Sequence, residues 1–159
     1  MRLLAIDPGP TRSAWLIWDD TYRVEGFGIN SNDALIAEIR RGVFANCQAI
    51  AIEKVASYGM PVGAEVFETV FWSGQFAEAA RPLPVYRPTR ASIKMHICHS
   101  MKANDPSIRQ ALIDRFTTPD QPAIGLKKTP GPLYGISADV WSALAVAVTV
   151  SDKPQLGLV

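Results

Sequence analysis

Three acidic residues are marked out by the company they keep. Asp7 closes the apolar run "RLLAID" and is followed by Pro8-Gly9. Glu53 directly continues the apolar run "AIAI", and Asp139 stands at the head of "VWSALAVAVTV". A carboxylate at the end of a buried run is costly unless it is paired or coordinated. Three converging carboxylates cannot all stay ionised without a cation. Oxygen-only ligation suits Mg²⁺, with Mn²⁺ as the alternative, and not zinc. Two such ions about 4 Å apart activate a water and stabilise the leaving oxygen at a phosphodiester. Plainer duties are open to two of the acids. Asp before Pro-Gly is a common turn residue, and Asp139 can complement a helix dipole. His96, Cys98 and His99 crowd into four residues, but without a second ligand pair they do not make a tetrahedral zinc site.

The elements that must position these acids follow from periodicity. Arg2–Asp7 and Ala49–Ile52 read as buried central strands, and 14–18 and 22–29 as two further strands parted by the turn-prone "DDT". Asn32 or Asp33 can cap a helix through about Phe44. Glu65–Ala80 reads as a helix, Val85–Arg87 as a short strand, and Thr89 as the cap of a helix through about Cys98. Asp105-Pro106 starts a helix to about Phe116, with Asp105 as its N-cap. Residues 117–135, with four prolines and three glycines, read as a loop. Ser137 can cap a final helix through Val150, and residues 151–159 form an expected flexible tail. Three strands joined by short connections, then others joined through helices, call for an α/β fold. Its mixed sheet would put Asp7 and Glu53 at one carboxyl edge, where open α/β sheets bind ligands.

The length of 159 residues suits one domain, over 1–150, and no apolar run reaches the roughly 18 residues of a membrane span. The early "DPGP" argues against a secretory leader, and Cys47 and Cys98 fit reduced thiols, so the expected location is cytoplasmic. The net charge of +1 is an average. Residues 1–80 carry 6 Lys/Arg against 10 Asp/Glu, whereas residues 81–128 carry 9 against 3. An acidic half beside a basic middle fits a metal site next to a phosphate-facing strip.

Together the segments resemble RuvC-type Holliday-junction resolvases of the RNase H-like superfamily, in the form carried by bacteriophages. "LLAIDPGPTRSAW" is similar to their opening strand and turn, "AIAIEKV" to their second acidic site, and "ADVWSALAVAVT" to their last helix. "LPVYRPTR" and "NDPSIRQALIDRF" resemble the intervening strand and helix. The resemblance implies a mixed five-stranded sheet with helices on both faces and a structure-specific endodeoxyribonuclease acting on four-way or branched DNA. It makes Asp7, Glu53 and Asp139 metal ligands and catalytic residues. A phage-encoded protein would act in its host's cytoplasm.

The departure is at position 142, where the family's second acid on the last helix is replaced by Ser142. A hydroxyl is a poorer hard-cation ligand than a carboxylate, so at the metal residue Ser142 either water is the fourth ligand with the hydroxyl behind it, or the second metal binds weakly. Family members also use a lysine near the scissile phosphate, and Lys102 in "HSMKANDP" is the best counterpart, with Lys94 second. Arg90, Lys127 and Lys128 are expected to track DNA backbone. The family's stacking aromatic after the second acid is missing, and Tyr58, two positions late in a Gly/Pro-rich loop, is the substitute. Paired nicks need two active sites, which implies a twofold homodimer. The helix bearing "VFETVFWSGQF" carries more large apolar residues than one core face needs and is the expected interface. Three other readings compete. A non-catalytic branched-DNA scaffold would explain Ser142, an RNase H-like nuclease could act on another substrate, and a sugar-kinase-type ATPase would need a second lobe that the chain cannot hold.

Overall fold

The computed structural model describes residues 1–19 and 21–158. Asp20, inside the expected "DDT" turn, and Val159, at the end of the expected tail, lie outside the described residues. Five strands form one sheet: β1 (Leu3–Asp7), β2 (Arg12–Asp19), β3 (Arg23–Ser31), β4 (Ala49–Ile52) and β5 (Val85–Tyr86). Their spatial order is β3-β2-β1-β4-β5. The first three strands pair antiparallel, and β4 and β5 join β1 in parallel. The mixed sheet expected from connection lengths is therefore present.

Strand alternation divides the core in two. Leu3 and Ala5 of β1, with Ala14, Leu16 and Trp18 of β2 and Ala49 and Ala51 of β4, face α3 (Arg90–Cys98), α4 (Asp105–Phe116) and α5 (Val140–Asp152). Leu4, Ile6, Ile50 and Ile52 face the other way, against α1 (Asn32–Arg40) and α2 (Ala64–Ala79). Burying each such Leu or Ile contributes roughly 1.5–3 kcal/mol. Small residues are common in the first layer, with Ala5, Ala49 and Ala51 on the sheet and Ala143, Ala145 and Ala147 on α5, all fully or almost fully buried. They let α5 lie close on the sheet with nearly its whole circumference covered.

Several boundaries differ from expectation. The cap of α1 is Ser31, whose hydroxyl accepts from the Ala34 N–H, and Asn32 is buried inside the helix start. That helix ends at Arg40, and Gly42 then turns with φ +81°, so Phe44 packs from a turn. Asn104, not Asp105, caps α4. Residues 117–135 are not wholly loop, since β6 (Gly125–Leu126) and β7 (Thr129–Pro130) make a two-stranded hairpin. Gly125, at φ +69°, has no room for a Cβ beside Thr129 and Gly131.

The expected tail makes contacts of its own over its described residues. Helix α5 runs on to Asp152, a short 3₁₀ turn follows over Pro154–Leu156, and the Arg87 N–H donates to the Gly157 carbonyl at 2.6 Å. Asp152 is gripped by Arg115 at 2.6 and 2.8 Å and by the His96 ring at 2.7 Å. This accounts for one of the three residues with a zinc-like appearance. His99 terminates α3 in a left-handed conformation, and Cys98 is a free, part-buried thiol.

Candidate functional site

The register of β1 against β4 brings the first two acids together. Ile6 is paired with Ile52, so Asp7 and Glu53 leave adjacent parallel strands side by side, and the Glu53 N–H donates to the Ile6 carbonyl at 3.1 Å. By alternation Asp7 follows Leu3 and Ala5, and Glu53 follows Ala49 and Ala51, so both continue the α5-facing register. Asp139 occupies the N-cap position of α5 but makes no side-chain cap bond, so its carboxylate is not spent on the helix. The expected cap, Ser137, lies two residues before it and contributes its carbonyl to the Val140 N–H. Ala138, just before Asp139, holds φ +49°, a strained value for a residue with a Cβ.

The turn after Asp7 is locked by a polar network that sequence reading missed. The buried Ser13 hydroxyl accepts from the Gly9 N–H at 3.1 Å and donates to the Asn32 side-chain oxygen at 2.6 Å. Asn32 in turn donates to the Gly9 carbonyl at 2.9 Å. A Cβ on Gly9 would stand 2.2 Å from the Arg12 carbonyl oxygen. The signal was an ambiguous one, since Asn before an apolar periodic run reads equally well as a helix cap.

Electrostatics mark the cluster as short of positive charge. Burial, then the negative charges of Glu53 and Asp139, push the Asp7 carboxyl up to about 8, against the pull of Arg90 and the polar Ser142 hydroxyl. Burial likewise raises Glu53, opposed by Arg90 and Lys94. One Glu53 carboxylate oxygen is buried with no hydrogen-bond partner, and the Arg90 guanidinium stands 3.6 Å from it. Among the described residues, no three His, Cys, Asp or Glu side chains converge tightly enough to cage an ion as they stand. The donor set nevertheless fits a hard divalent cation. It offers acidic oxygens, a neighbouring hydroxyl and an unsatisfied buried lone pair, with too little positive charge to balance them.

Two cavities meet at this edge. One of about 250 Å³ is lined by Asp7, Pro8, Glu53, Lys54, Tyr58 and Arg90. Its neighbour of about 460 Å³ includes Arg90, Asp105, Arg109, Asp139, Trp141 and Ser142. Ser142 thus faces the acids, as its spacing of one helical turn from Asp139 requires. Tyr58 presents an exposed ring at the mouth of the first cavity, with φ +49°, and its hydroxyl accepts from the Ala91 N–H at 3.3 Å.

The basic candidates separate by position. Arg90, expected on the DNA backbone, pairs with Glu53 and Asp105 at the edge of the site. Lys94 is close enough for its charge to reach Glu53. Lys102 lies in an exposed turn between α3 and α4 and lines neither cavity. Lys127 and Lys128 form the exposed tip of the β6–β7 hairpin. The chain matches no protein-family profile and no curated protein. Among solved structures it is similar to Thermus thermophilus RuvC in complex with Holliday junction substrate. The TM-score is 0.73 with 18% identity, over 99% of this chain and 96% of that one. A second Thermus thermophilus RuvC structure gives 0.67 with 18% identity, over 99% and 97%. The fold is accordingly the RNase H-like fold of RuvC.

Proposed function

We propose that the chain is a divalent-metal-dependent endodeoxyribonuclease that resolves Holliday junctions or other branched DNA by paired nicks. The observation that carries this reading is the unbalanced acid cluster of Asp7, Glu53 and Asp139 at the carboxyl edge of a RuvC-type sheet. Mg²⁺ or Mn²⁺ held by these three residues would supply water activation and stabilisation of the leaving oxygen. Around them, Ser142 offers a polar neighbour where a fourth acid would add charge, favouring weaker metal binding at that corner. Lys94 is better placed than Lys102 to meet the reacting phosphate, because its charge reaches Glu53. The Tyr58 ring at the cavity mouth offers a stacking surface for an unpaired base. Lys127 and Lys128 at the hairpin tip offer phosphate contacts away from the acids.

A twofold dimer supplies the second nick. Phe67, Val70 and Phe71 form an exposed stripe on α2, 65%, 47% and 55% accessible, at the i, i+3, i+4 spacing of one helix face. An exposed apolar stripe of this kind on one helix face suits a second copy of the chain.

The test compares cleavage of a four-way junction, a flap and an RNA–DNA hybrid in Mg²⁺ at one salt concentration. Asp7→Asn, Glu53→Gln and Asp139→Asn should each abolish nicking while junction binding persists, because the basic contacts to phosphate lie away from the acids. Retained nicking in any one variant removes that residue from the site, and preferred cleavage of the hybrid reassigns the substrate. Ser142 favours a second reading, a scaffold that binds branched DNA without cutting it. Tight junction binding with no nicking in either Mg²⁺ or Mn²⁺ would establish that alternative.

A further inference from the structure

The acid cluster is accompanied by a cation of its own. Arg90 is the first residue of α3, where the helix dipole disfavours positive charge, so something else must hold it there. Two carboxylates do. Its guanidinium lies 3.6 Å from the buried oxygen of Glu53 and in close contact with Asp105 at the start of α4. The two partners differ in kind. The Glu53 side chain is 15% exposed and that of Asp105 is 76% exposed. Arg90 also forms the wall common to both cavities.

We propose that Arg90 is a resident stand-in for the metal, shared between Glu53 and Asp105, so that metal entry requires Arg90 to release Glu53 and Asp105 sets how readily it does so. This rests on the metal-site reading above. The contact with Glu53 is too long for a hydrogen bond, so it neutralises the carboxylate without occupying its lone pair. A divalent cation at Glu53 would stand a few ångströms from the guanidinium, and like charges at that range repel strongly at a partly buried site. The planar fork of Arg can bond two carboxylates at once, and withdrawal toward Asp105 keeps one of them. Asp105 is nearly in water, so it takes the displaced charge without a burial cost. The other charges bearing on this site are Asp7, Asp139 and Lys94. Lys94 acts on Glu53 through its charge, and among the described residues it pairs with no acid in the way Arg90 does.

The test is direct Mn²⁺ binding to the full chain by calorimetry, without DNA. Arg90→Gln should tighten Mn²⁺ roughly tenfold, and Asp105→Asn should weaken it several-fold by pressing Arg90 onto Glu53. In the Arg90→Gln background Asp105→Asn should have almost no further effect, because the coupling runs through the guanidinium. Arg90→Lys keeps the charge but cannot span both acids, so it too should erase the Asp105 effect. Lys94→Gln removes an equal charge that is not shared, and should change affinity less than Arg90→Gln. Unchanged affinity in Arg90→Gln, equal gains from Lys94→Gln, or additive Arg90 and Asp105 effects would each overturn the proposal while leaving the metal site standing. Absence of Mn²⁺ binding in both the native protein and Arg90→Gln would overturn this proposal and the metal reading together.

Discussion

Replacing Asp7 by Asn should make the metal-free protein more stable, and the gain should grow with pH. Asp7 is held near 8 in the fold, mainly by burial and then by Glu53 and Asp139, against an ordinary value of 3.8. A raised carboxyl contributes its full stability below about pH 4, where both folded and unfolded chains carry the proton. It loses that contribution progressively as pH climbs through about 8. At roughly 1.4 kcal/mol per pH unit, the four-unit gap corresponds to a loss on the order of 5 kcal/mol above pH 8. Asn resembles the neutral acid in shape and does not titrate. For a chain of this length, each kcal/mol moves Tm by about 2–4 °C. Even half of the full effect gives a shift of roughly 5–10 °C at pH 9, and much less at pH 5. The assay is thermal unfolding of both proteins in chelator at pH 5, 7 and 9, repeated with Mn²⁺. The metal should raise the native protein's Tm most at high pH and leave the variant nearly unmoved, because ligands must be deprotonated to bind. A native Tm that rises with pH in chelator, or an Asn variant no more stable than native at pH 9, would refute the electrostatic account of the cluster.

Other perturbations test neighbouring parts of the structure. Ser142→Asp should lower the Mg²⁺ needed for half-maximal nicking, since position 142 faces Asp7; a folded but inactive variant would show that the position serves packing. Gly9→Ala should destabilise by about 1–3 kcal/mol in urea unfolding, because its Cβ must push the Arg12 carbonyl away; a silent change would dismiss the turn lock. Phe71→Asp should convert the proposed dimer into a folded monomer in sedimentation velocity; a native chain that sediments as a monomer, or a variant that stays dimeric, would remove α2 as the interface.

Much of the frame was readable because it rests on local chemistry. "LLAID" and "AIAI" are buried on both faces, and their lack of polar positions is the signature of central strands. The same run length dictated that Asp7 and Glu53 end their strands, and parallel pairing then made them neighbours. What stayed hidden depends on contacts between distant segments. Asn32 looked like a cap, but burial beside Ser13 and Gly9 gave it a better set of hydrogen bonds, and Ser31 took the cap. Arg90 looked like one of several surface cations, and only the approach of α3 to α4 and β4 set it between two acids. Lys127 and Lys128 fell in a stretch whose prolines and glycines mask a two-residue hairpin turn. The left-handed Ala138 carried no signal at all, because a residue with a Cβ adopts that conformation only when its surroundings impose it.

Helix α5 has a bearing on how such a protein can change over time. Each of its ends has a fixed place: Asp139 stands beside Asp7 in the acid cluster at one, and Asp152 is gripped by Arg115 and His96 at the other. Between them, residues 140–150 are buried at every position but Ser142, which is partly covered. Gaining or losing one residue there turns everything on one side by about 100° and moves it 1.5 Å along the axis. Asp139 would swing away from Asp7, or Asp152 away from Arg115, and no surface position exists within the helix to absorb the slip. Length variation among descendants of this chain should therefore be absent from 139–152 and collect instead at the β6–β7 hairpin, whose tip is exposed and whose lysines can be carried on a longer or shorter arm without disturbing the acids.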